Sequence, residues 1–188
     1  MQLASAERDT VLRSLLPALQ RYLRRYCRDP SVAEEVLQET LLRIDRALPG
    51  FQGRSRLDTW ALAIASRAAA DHFRAARREI ETVPVEEDDT LLVGGDASLD
   101  ERLVIDEMNA CVREVIDALP SDYRAALILR DLEGYSTEEA AAVLECTAAT
   151  VKIRLHRARA RLQAALGRRC EFYRDRASVL RCERKPGT

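Results

Sequence analysis

A chain of 188 residues is long enough for one domain of average size or for two small ones. Charged residues make up 32% of it and aromatic residues only 5%, which favours small helical bundles over a sheet protein. The N-terminus carries Glu7, Arg8 and Asp9 where a signal peptide needs an apolar stretch, and no segment reaches the roughly 18 uncharged apolar residues of a membrane helix. We therefore expect a cytoplasmic protein without membrane insertion.

The first predicted helix runs from about Ser14 to Arg28, where apolar residues recur at steps of three and four. Pro17 fits the first turn of this helix if Ser14 is its N-cap. Residues 31–34 (SVAE) have the pattern of a capping box and predict the start of a second helix. These two helices begin an N-terminal bundle.

The second helix is predicted to end at residues 49–50, a Pro-Gly pair. Residues 51–56 then form a short polar loop, and a third helix reaches about Arg78. Its apolar positions include Trp60, which we expect to lie in the core rather than to act as a stacking surface. Three helices of this kind can bury one small core.

An acidic segment follows the third helix. Residues 79–107 hold eleven of the 31 acids and one of the 30 bases, so the rest of the chain carries 20 acids and 29 bases. Residues 80–98 also lose helical periodicity and include Pro84 and two glycines, which is typical of a linker. The net charge of −1 is therefore the sum of an acidic excess in this segment and a basic excess in the rest of the chain. This uneven distribution indicates two basic modules joined by an acidic tether.

A second helical bundle is predicted after this linker. Helical periodicity resumes near Leu99 and ends at Leu119, and the next helix begins after Pro120 and ends at Gly134 in the left-handed conformation. Residues 136–139 (STEE) form a capping box for a short helix, and Thr147 is the predicted N-cap of a long last helix. The fold class is therefore all-α, with two small helical bundles joined by a flexible acidic linker.

Residues 136–166 have the layout of a helix-turn-helix: a short capped helix, a turn and a longer basic helix. The inward positions of the last helix are apolar: Val151, Leu155, Ala158, Leu162 and Leu166. Another face carries Lys152, His156 and Arg159, flanked by Ile153 and Arg157. Cations on a helix that enters the major groove gain from counterion release and can reach guanine edges, so this pattern favours DNA binding over a merely solvated helix.

Several segments resemble the sigma factors of the extracytoplasmic-function (ECF) class. The second bundle is similar to their region 4 at residues 119–124 (LPSDYR), 129–136 (LRDLEGYS), 138–141 (EEAA) and 150–159 (TVKIRLHRAR). The first is similar to their region 2 at residues 33–43 (AEEVLQETLLR), 51–55 (FQGRS) and 59–74 (TWALAIASRAAADHFR). The resemblance covers roughly residues 10–78 and 108–167, with both regions in the family's order. It implies a region 2 domain at 1–79, a linker at 80–100, a region 4 domain at 101–167 and a cysteine-containing basic tail at 168–188.

The resemblance implies an alternative sigma factor, which binds core RNA polymerase and directs it to specific promoters without being an enzyme itself. Its partners would be the β′ clamp helices and the β flap of the polymerase, promoter DNA and an anti-sigma factor, and no cofactor or metal is expected. The polymerase-binding residues would be Glu34, Glu35, Gln38, Glu39 and Arg43. An alternative for Glu34 and Glu35 is stabilisation of the helix dipole from the first turn.

The resemblance divides the DNA contacts between two promoter elements. The loop would hold a flipped base of the minus-10 element, and one face of the third helix would contact the same element; the residues are Phe51, Gln52, Gly53, Arg54, Ser55, Arg56, Arg67, Asp71, Arg74 and Arg78. Base edges of the minus-35 element would be contacted by Arg130, Lys152, Ile153, His156 and Arg157. Phosphate contacts there would come from Thr147, Thr150, Arg154 and Arg159.

Two positions depart from the family's pattern. Many members carry Asn at the position of Arg67, so the minus-10 base preference does not transfer to this chain. Many members carry Gly at the position of Glu145, before the turn, where a non-glycine residue costs about 1 kcal/mol if its φ is positive.

The linker and the tail have less specific signals. The resemblance suggests that the acidic run 86–89 (EEDD) occupies nucleic-acid surface in the polymerase, with a solvated spacer as the alternative. The five cysteines are expected to be reduced thiols, and Cys111 is expected to fill core space. Cys170 and Cys182 in the basic tail could sense oxidants or metals, or the tail could be inert or dock a partner.

Two other functions fit parts of the sequence. A stand-alone helix-turn-helix regulator would bind a symmetric operator tightly without polymerase. A thiol enzyme would use Cys170 or Cys146 with His156, but the sequence offers no oxyanion site, Gly-rich loop or third catalytic partner for it. The promoter sequence, the regulon, the inducing signal and the identity of the anti-sigma factor do not follow from the sequence.

Overall fold

The computed structural model describes residues 5–80, 110–174 and 180–184. Three helices form the first half: α1 (Ser5–Tyr26), α2 (Pro30–Ala47) and α3 (Leu57–Ile80), with a 3-10 turn at Leu48–Gly50. Four form the second: α4 (Ala110–Asp117), α5 (Ser121–Leu127), α6 (Thr137–Val143) and α7 (Ala148–Arg169), with a π-helical turn at Ile128–Leu132. A hairpin of β1 (Cys170–Arg174) and β2 (Leu180–Arg184) follows α7. The acidic run 86–89 and the helical pattern predicted from Leu99 to residue 109 lie outside the described residues.

Helix α1 begins nine residues earlier than predicted, at Ser5, and Pro17 lies inside it. The prediction that Ser14 caps the helix is wrong, because the Ser14 hydroxyl donates to the Val11 carbonyl 2.7 Å away within the helix. Proline lacks the N–H that would bond the Arg13 carbonyl one turn earlier. Both residues are exposed, so water can bond that carbonyl and the proline is tolerated.

Helix α2 begins at Pro30 rather than at a capping box on Ser31. Its N-cap is Asp29, whose Oδ1 accepts hydrogen bonds from the backbone N (2.8 Å) and the hydroxyl (2.5 Å) of Ser31. These bonds hold the pKa of Asp29 below its usual range. The predicted box is therefore corrected: aspartate is as good a cap as serine, and proline is well suited to the first helical position.

The prediction that the first three helices bury one small core is confirmed. Leu19, Leu23 and Tyr26 of α1 pack with Ile44 of α2 and Leu62 of α3, and each is at most 1% exposed. Each apolar side chain buried this fully contributes about 1.5–3 kcal/mol of transfer free energy.

The second bundle packs α7 against α4 and α5. Leu155, Ala158, Leu162 and Leu166 of α7 are buried, as the inward stripe predicts. Gly134 ends the segment that begins with α5, with a φ of +73° that suits glycine. The side chain of Cys111, predicted to fill core space, lies outside the described side chains.

The two bundles also pack against each other. The core that contains Leu19 and Tyr26 of the first bundle continues into Ile128, Leu129 and Val143 of the second, all of them buried. The two bundles therefore share one continuous apolar core where they meet.

The C-terminal hairpin was not predicted from the sequence. Its antiparallel strands place Cys170 opposite Arg184 and Cys182 opposite Phe172. The all-α class is confirmed for the two bundles, and the hairpin is an addition at the end of α7.

Candidate nucleic-acid interface

The helix-turn-helix is formed by α6, a turn at residues 144–147 and α7. The predicted capping box is present: the Ser136 hydroxyl accepts from the Glu139 backbone N at 3.1 Å, and the Glu139 carboxylate accepts from the Ser136 backbone N at 2.8 Å. Thr147 caps α7 as predicted, since its hydroxyl oxygen accepts from the Thr150 backbone N at 3.1 Å. Glu145 in the turn has a φ of +50°, the left-handed conformation that glycine adopts without strain.

The outward face of α7 combines cations with an exposed apolar side chain. Lys152, His156 and Arg157 are exposed, and Arg157 also donates to the Tyr123 hydroxyl at 3.3 Å. Between them Ile153 is 55% exposed, although isoleucine is usually buried. The opposite face of the helix is buried, so these side chains are held outward on a rigid element.

Three other arginines of the predicted minus-35 set are held by neighbours within the second bundle. Arg159 forms a two-pronged pair with Asp131, through Nε at 3.0 Å and Nη2 at 2.7 Å. Arg154 pairs with Asp122 at 2.5 Å, and Arg130 donates to the Tyr135 carbonyl. These contacts fix the direction of each guanidinium group beside the exposed face.

The loop at residues 51–56 lines an open surface cavity of about 250 Å³. The Phe51 and Trp60 rings meet at 4.9 Å between centroids, and Trp60 is half-buried and lines the cavity. Gly53 has a φ of +67°, so the loop bends where a side chain would be strained. The remaining lining is mostly polar and comes from Gly50, Gln52, Arg54 and Ser55. The sequence placed Trp60 in the core and missed its second role as a wall of this cavity.

The face of α3 that follows the loop carries linked charges. Asp71 accepts from Arg74 at 3.0 Å and from Arg43 of α2 at 3.2 Å. Arg67 pairs with Glu145 in the turn of the helix-turn-helix, which brings this face opposite the second bundle. Arg56 in the loop pairs with Asp58 at 2.9 Å, which raises the pKa of the Arg56 guanidinium. The side chain of Arg78 lies outside the described side chains.

The acidic face of α2 is open to solvent. Glu34, Glu35, Gln38 and Glu39 are exposed, and Arg43 bonds Glu39 at 2.8 Å. The first turn of α2 spans residues 30–33, so Glu34 and Glu35 lie beyond it and the helix-dipole alternative is weakened.

An apolar residue that the sequence analysis missed lies in the same helix: Leu42 is 52% exposed. It falls between the buried positions of α2, off the helical period of its apolar residues. This position could have predicted from the sequence that Leu42 is exposed.

The described residues show no feature of a metal site or a membrane span. Within 5–80, 110–174 and 180–184, no three His, Cys, Asp or Glu side chains converge as metal ligands. No helix in the described part of the chain is long and apolar enough to cross a bilayer. In the hairpin, Cys170 and Cys182 are not cross-strand partners.

Comparison with protein families matches both bundles. The family model for sigma-70 region 2 matches residues 11–79, and that for sigma-70 region 4 matches residues 109–162. The RNA polymerase sigma-H factor of Pseudomonas aeruginosa is 36% identical over 148 residues, which cover 76% of this chain and 77% of the relative. The ECF RNA polymerase sigma factor EcfG of Rhodopseudomonas palustris is 33% identical over 166 residues, 88% of each chain. The chain belongs to the ECF family of sigma-70 factors.

The fold of this sigma factor is also found in solved structures. The sigma factor RpoE of Bartonella quintana, solved in complex with the anti-sigma factor NepR, aligns with a TM-score of 0.61 and 28% identity over 85% of this chain and 96% of that one. CnrH, solved with the cytosolic domain of CnrY, aligns with a TM-score of 0.60 and 23% identity over 88% and 90%. As an ECF sigma factor, the chain is a transcription initiation factor that binds core RNA polymerase and directs it to promoters. Its second bundle is the DNA-binding region 4, and its first bundle is region 2.

Proposed function

We propose that this sigma factor reads its promoters with two separate surfaces. The outward face of α7 reads the minus-35 element as duplex DNA, and the loop cavity with the α3 face reads the melted minus-10 element. The observation that carries the proposal is the exposed group on α7, where Lys152, Ile153 and His156 project from a helix whose other side is buried. A helix held in this way can enter the major groove and present side chains to base edges.

Each minus-35 residue is suited to a different contact. Lys152, Arg157 and His156 can donate to acceptors on guanine and thymine, and Ile153 can pack on a thymine methyl group. Arg130, whose guanidinium group donates to the Tyr135 carbonyl, would contact a further base edge. Phosphates would be held by the capping-turn hydroxyls and the fixed arginines, namely Thr147, Thr150, Arg154 and Arg159.

The minus-10 surface is suited to an unstacked base. A base that leaves the stack costs a few kcal/mol, and a cavity with aromatic walls offsets this by stacking. Phe51 and Trp60 provide such walls, while Arg54 and Arg56 provide charge for the adjoining phosphates. Gln52 and Ser55 supply polar atoms, and Gly53 permits close approach of the backbone. Arg67, Asp71, Arg74 and Arg78 would contact the flanking DNA.

The acidic face of α2 is the proposed site for the β′ clamp helices. Glu34, Glu35, Gln38 and Glu39 form it, and Leu42, which follows them along α2, adds exposed apolar area. Exposed acids beside an apolar residue suit a basic partner helix with an apolar contact of its own. Arg43 bonds Glu39 and Asp71, so it positions this face as well as contributing to it.

The sigma factor also has a proposed compartment and proposed further partners. We place the sigma factor in the cytoplasm, with no catalytic activity of its own, and propose region 4 contact with the β flap and control by an anti-sigma factor. The structural relative RpoE of Bartonella quintana was solved in complex with the anti-sigma factor NepR, which supports the last point. The acidic run 86–89, the domain boundaries and a sensing role for Cys170 and Cys182 remain predictions from the sequence.

Run-off transcription with core polymerase on a genomic promoter library tests the promoter surfaces. Lys152→Ala and His156→Ala should each relax base preference at one minus-35 position and weaken use of the best promoters by about 1–3 kcal/mol. Arg168→Ala is the matched control, since Arg168 is an exposed cation near the end of α7, outside the helix-turn-helix. An unchanged promoter profile for both variants would contradict the minus-35 proposal.

A further inference from the structure

The first turn of α5 carries Tyr123 at the place where α5 packs against α7. The backbone N–H of Tyr123 donates to the Pro120 carbonyl at 3.0 Å, which fixes the backbone of this turn. The ring is half-buried and packs against the apolar core of the second bundle, which includes Leu155 and Leu162 of α7. Tyr123 is therefore anchored at its backbone and its ring, and its hydroxyl group lies at the surface.

Two arginines of α7 contact this tyrosine in different ways. Nη1 of Arg157 donates to the Tyr123 hydroxyl oxygen at 3.3 Å, and the guanidinium carbon of Arg161 lies 5.2 Å from the centroid of the ring. Both arginines are exposed, and because they are four residues apart they project from the same side of α7. The ring thus holds Arg161 by a cation–π contact, and the hydroxyl holds Arg157 by a hydrogen bond.

A hydrogen bond formed before DNA binds changes what an arginine can do in the groove. An exposed arginine has many rotamers, and contact with a base edge selects one of them, which costs free energy. A partner in the free protein limits those rotamers in advance, so less of that free energy is lost on binding. A hydroxyl is also uncharged, so it directs the guanidinium group without neutralising it. Arg154 is different, because its partner at 2.5 Å is the carboxylate of Asp122.

We infer that Tyr123 is a positioning residue for minus-35 recognition, and that its hydroxyl directs Arg157 toward one base pair of the element. This inference rests on the proposed role of Arg157 at a base edge. Tyr123 lies 34 residues before Arg157 in the chain, so the helix-turn-helix pattern at residues 136–166 does not include it. The specificity of α7 therefore depends on a side chain of α5 that need not touch a base.

Tyr123→Phe tests this role with little change elsewhere. It removes the hydroxyl and keeps the ring, so the packing on the core and the contact with Arg161 remain. Tyr173→Phe is the matched control, because Tyr173 is an exposed tyrosine of β1, outside the helix-turn-helix. Each full-length variant is combined with core polymerase for run-off transcription from the strongest library promoter, in which every minus-35 base pair has been changed singly. Discrimination is the ratio of transcript from the preferred base pair to transcript from the others.

Arg157→Ala identifies the base pair that Arg157 reads, where discrimination should fall about tenfold. Tyr123→Phe should lose about threefold at that same base pair and keep the wild-type profile at the others. The double variant should match Arg157→Ala, because the hydroxyl acts only through that arginine. The control should keep the wild-type profile throughout. The free energy of unfolding of Tyr123→Phe should equal that of the wild type, which separates a positioning role from a structural one.

Three results would overturn the positioning role of Tyr123 and leave the proposed function in place. They are a Tyr123→Phe profile equal to that of the wild type, an even loss of transcription over all templates, and a further loss of discrimination in the double variant. The last two would mean that Tyr123 acts on stability or on DNA directly. An Arg157→Ala profile equal to that of the wild type would instead contradict the proposed minus-35 role of Arg157, and the inference with it.

Discussion

The left-handed backbone of Glu145 carries a strain that one substitution can remove. Its φ of +50° costs a side-chain-bearing residue about 1 kcal/mol relative to glycine. Glu145→Gly should therefore have a free energy of unfolding about 0.5–1 kcal/mol above that of Glu145→Gln, measured by chemical denaturation.

The ion pair between Glu145 and Arg67 complicates this comparison. Both side chains are more than half exposed, so the pair contributes at most about 1 kcal/mol. Glu145→Gln is the matched control, since it removes the pair and keeps the strain. A Glu145→Gly variant no more stable than Glu145→Gln would show that this backbone conformation carries no strain.

Buried cysteine and tyrosine side chains should make the stability of the folded protein decrease at high pH. Burial raises the pKa of Cys27 from 9.0 to about 11 and that of Tyr26 from 10.0 to about 12, and it raises the pKa of Tyr22 further. The folded state therefore holds protons that the unfolded chain releases first, so the stability that these groups contribute is present below pH 9 and is lost as the pH rises.

Denaturation midpoints between pH 8 and 11 measure this effect. They should fall steadily above about pH 9. Cys27→Ala should show a shallower fall, because one of the protons responsible is gone. Midpoints of the wild type that stay level up to pH 11 would contradict the burial assigned to these side chains.

The sequence predicts the surroundings of some residues and not of others. The left-handed Gly134 and the cap at Thr147 were predictable because both depend on residues within one turn. The partners of Arg159 and Arg154 were not, because Asp131 and Asp122 lie 28 and 32 residues away in the chain. Sequence patterns therefore identified exposed cations on α7 and missed which of them are held by acids.

At the scale of elements, the cap of α6 sets the start of the helix-turn-helix. The Ser136 hydroxyl satisfies the Glu139 backbone N, which has no partner inside the helix. Ser136→Ala should lower the free energy of unfolding by about 1 kcal/mol. Ser136→Thr keeps the hydroxyl and should lose much less. Equal stability of the alanine and threonine variants would mean that the cap does not stabilise α6.

Helix starts show where local patterns are sufficient and where they fail. The capping box at Ser136 was predicted and confirmed. A similar pattern at Ser31 was misleading, because Asp29 and Pro30 just before it form a better start. Helix α1 was predicted too short, because Pro17 favours a first turn but is tolerated on an exposed face when packing on the other side holds the helix.

At the scale of the whole molecule, the sequence predicted two bundles and their order but not how they meet. Arg21 and Glu133 are 112 residues apart in the chain, and neither lies in a pattern that indicates the other. Arg124 lies in the segment that resembles region 4, yet its contact with Tyr26 depends on the packing of both regions. The hairpin β1–β2 was missed because its strands are only five residues long and β1 begins directly after a long helix.

A sigma factor acts as a subunit of RNA polymerase, so this chain should co-elute with the core enzyme. Purified chain mixed with core polymerase at about 150 mM salt, where exposed charges are partly screened, should elute with it as a one-to-one complex in size-exclusion chromatography. Charge reversal at Glu35 and Glu39 should weaken that complex, because both acids lie on the exposed face of α2. If the wild-type chain elutes apart from core polymerase with no regulator present, it does not act as a polymerase subunit.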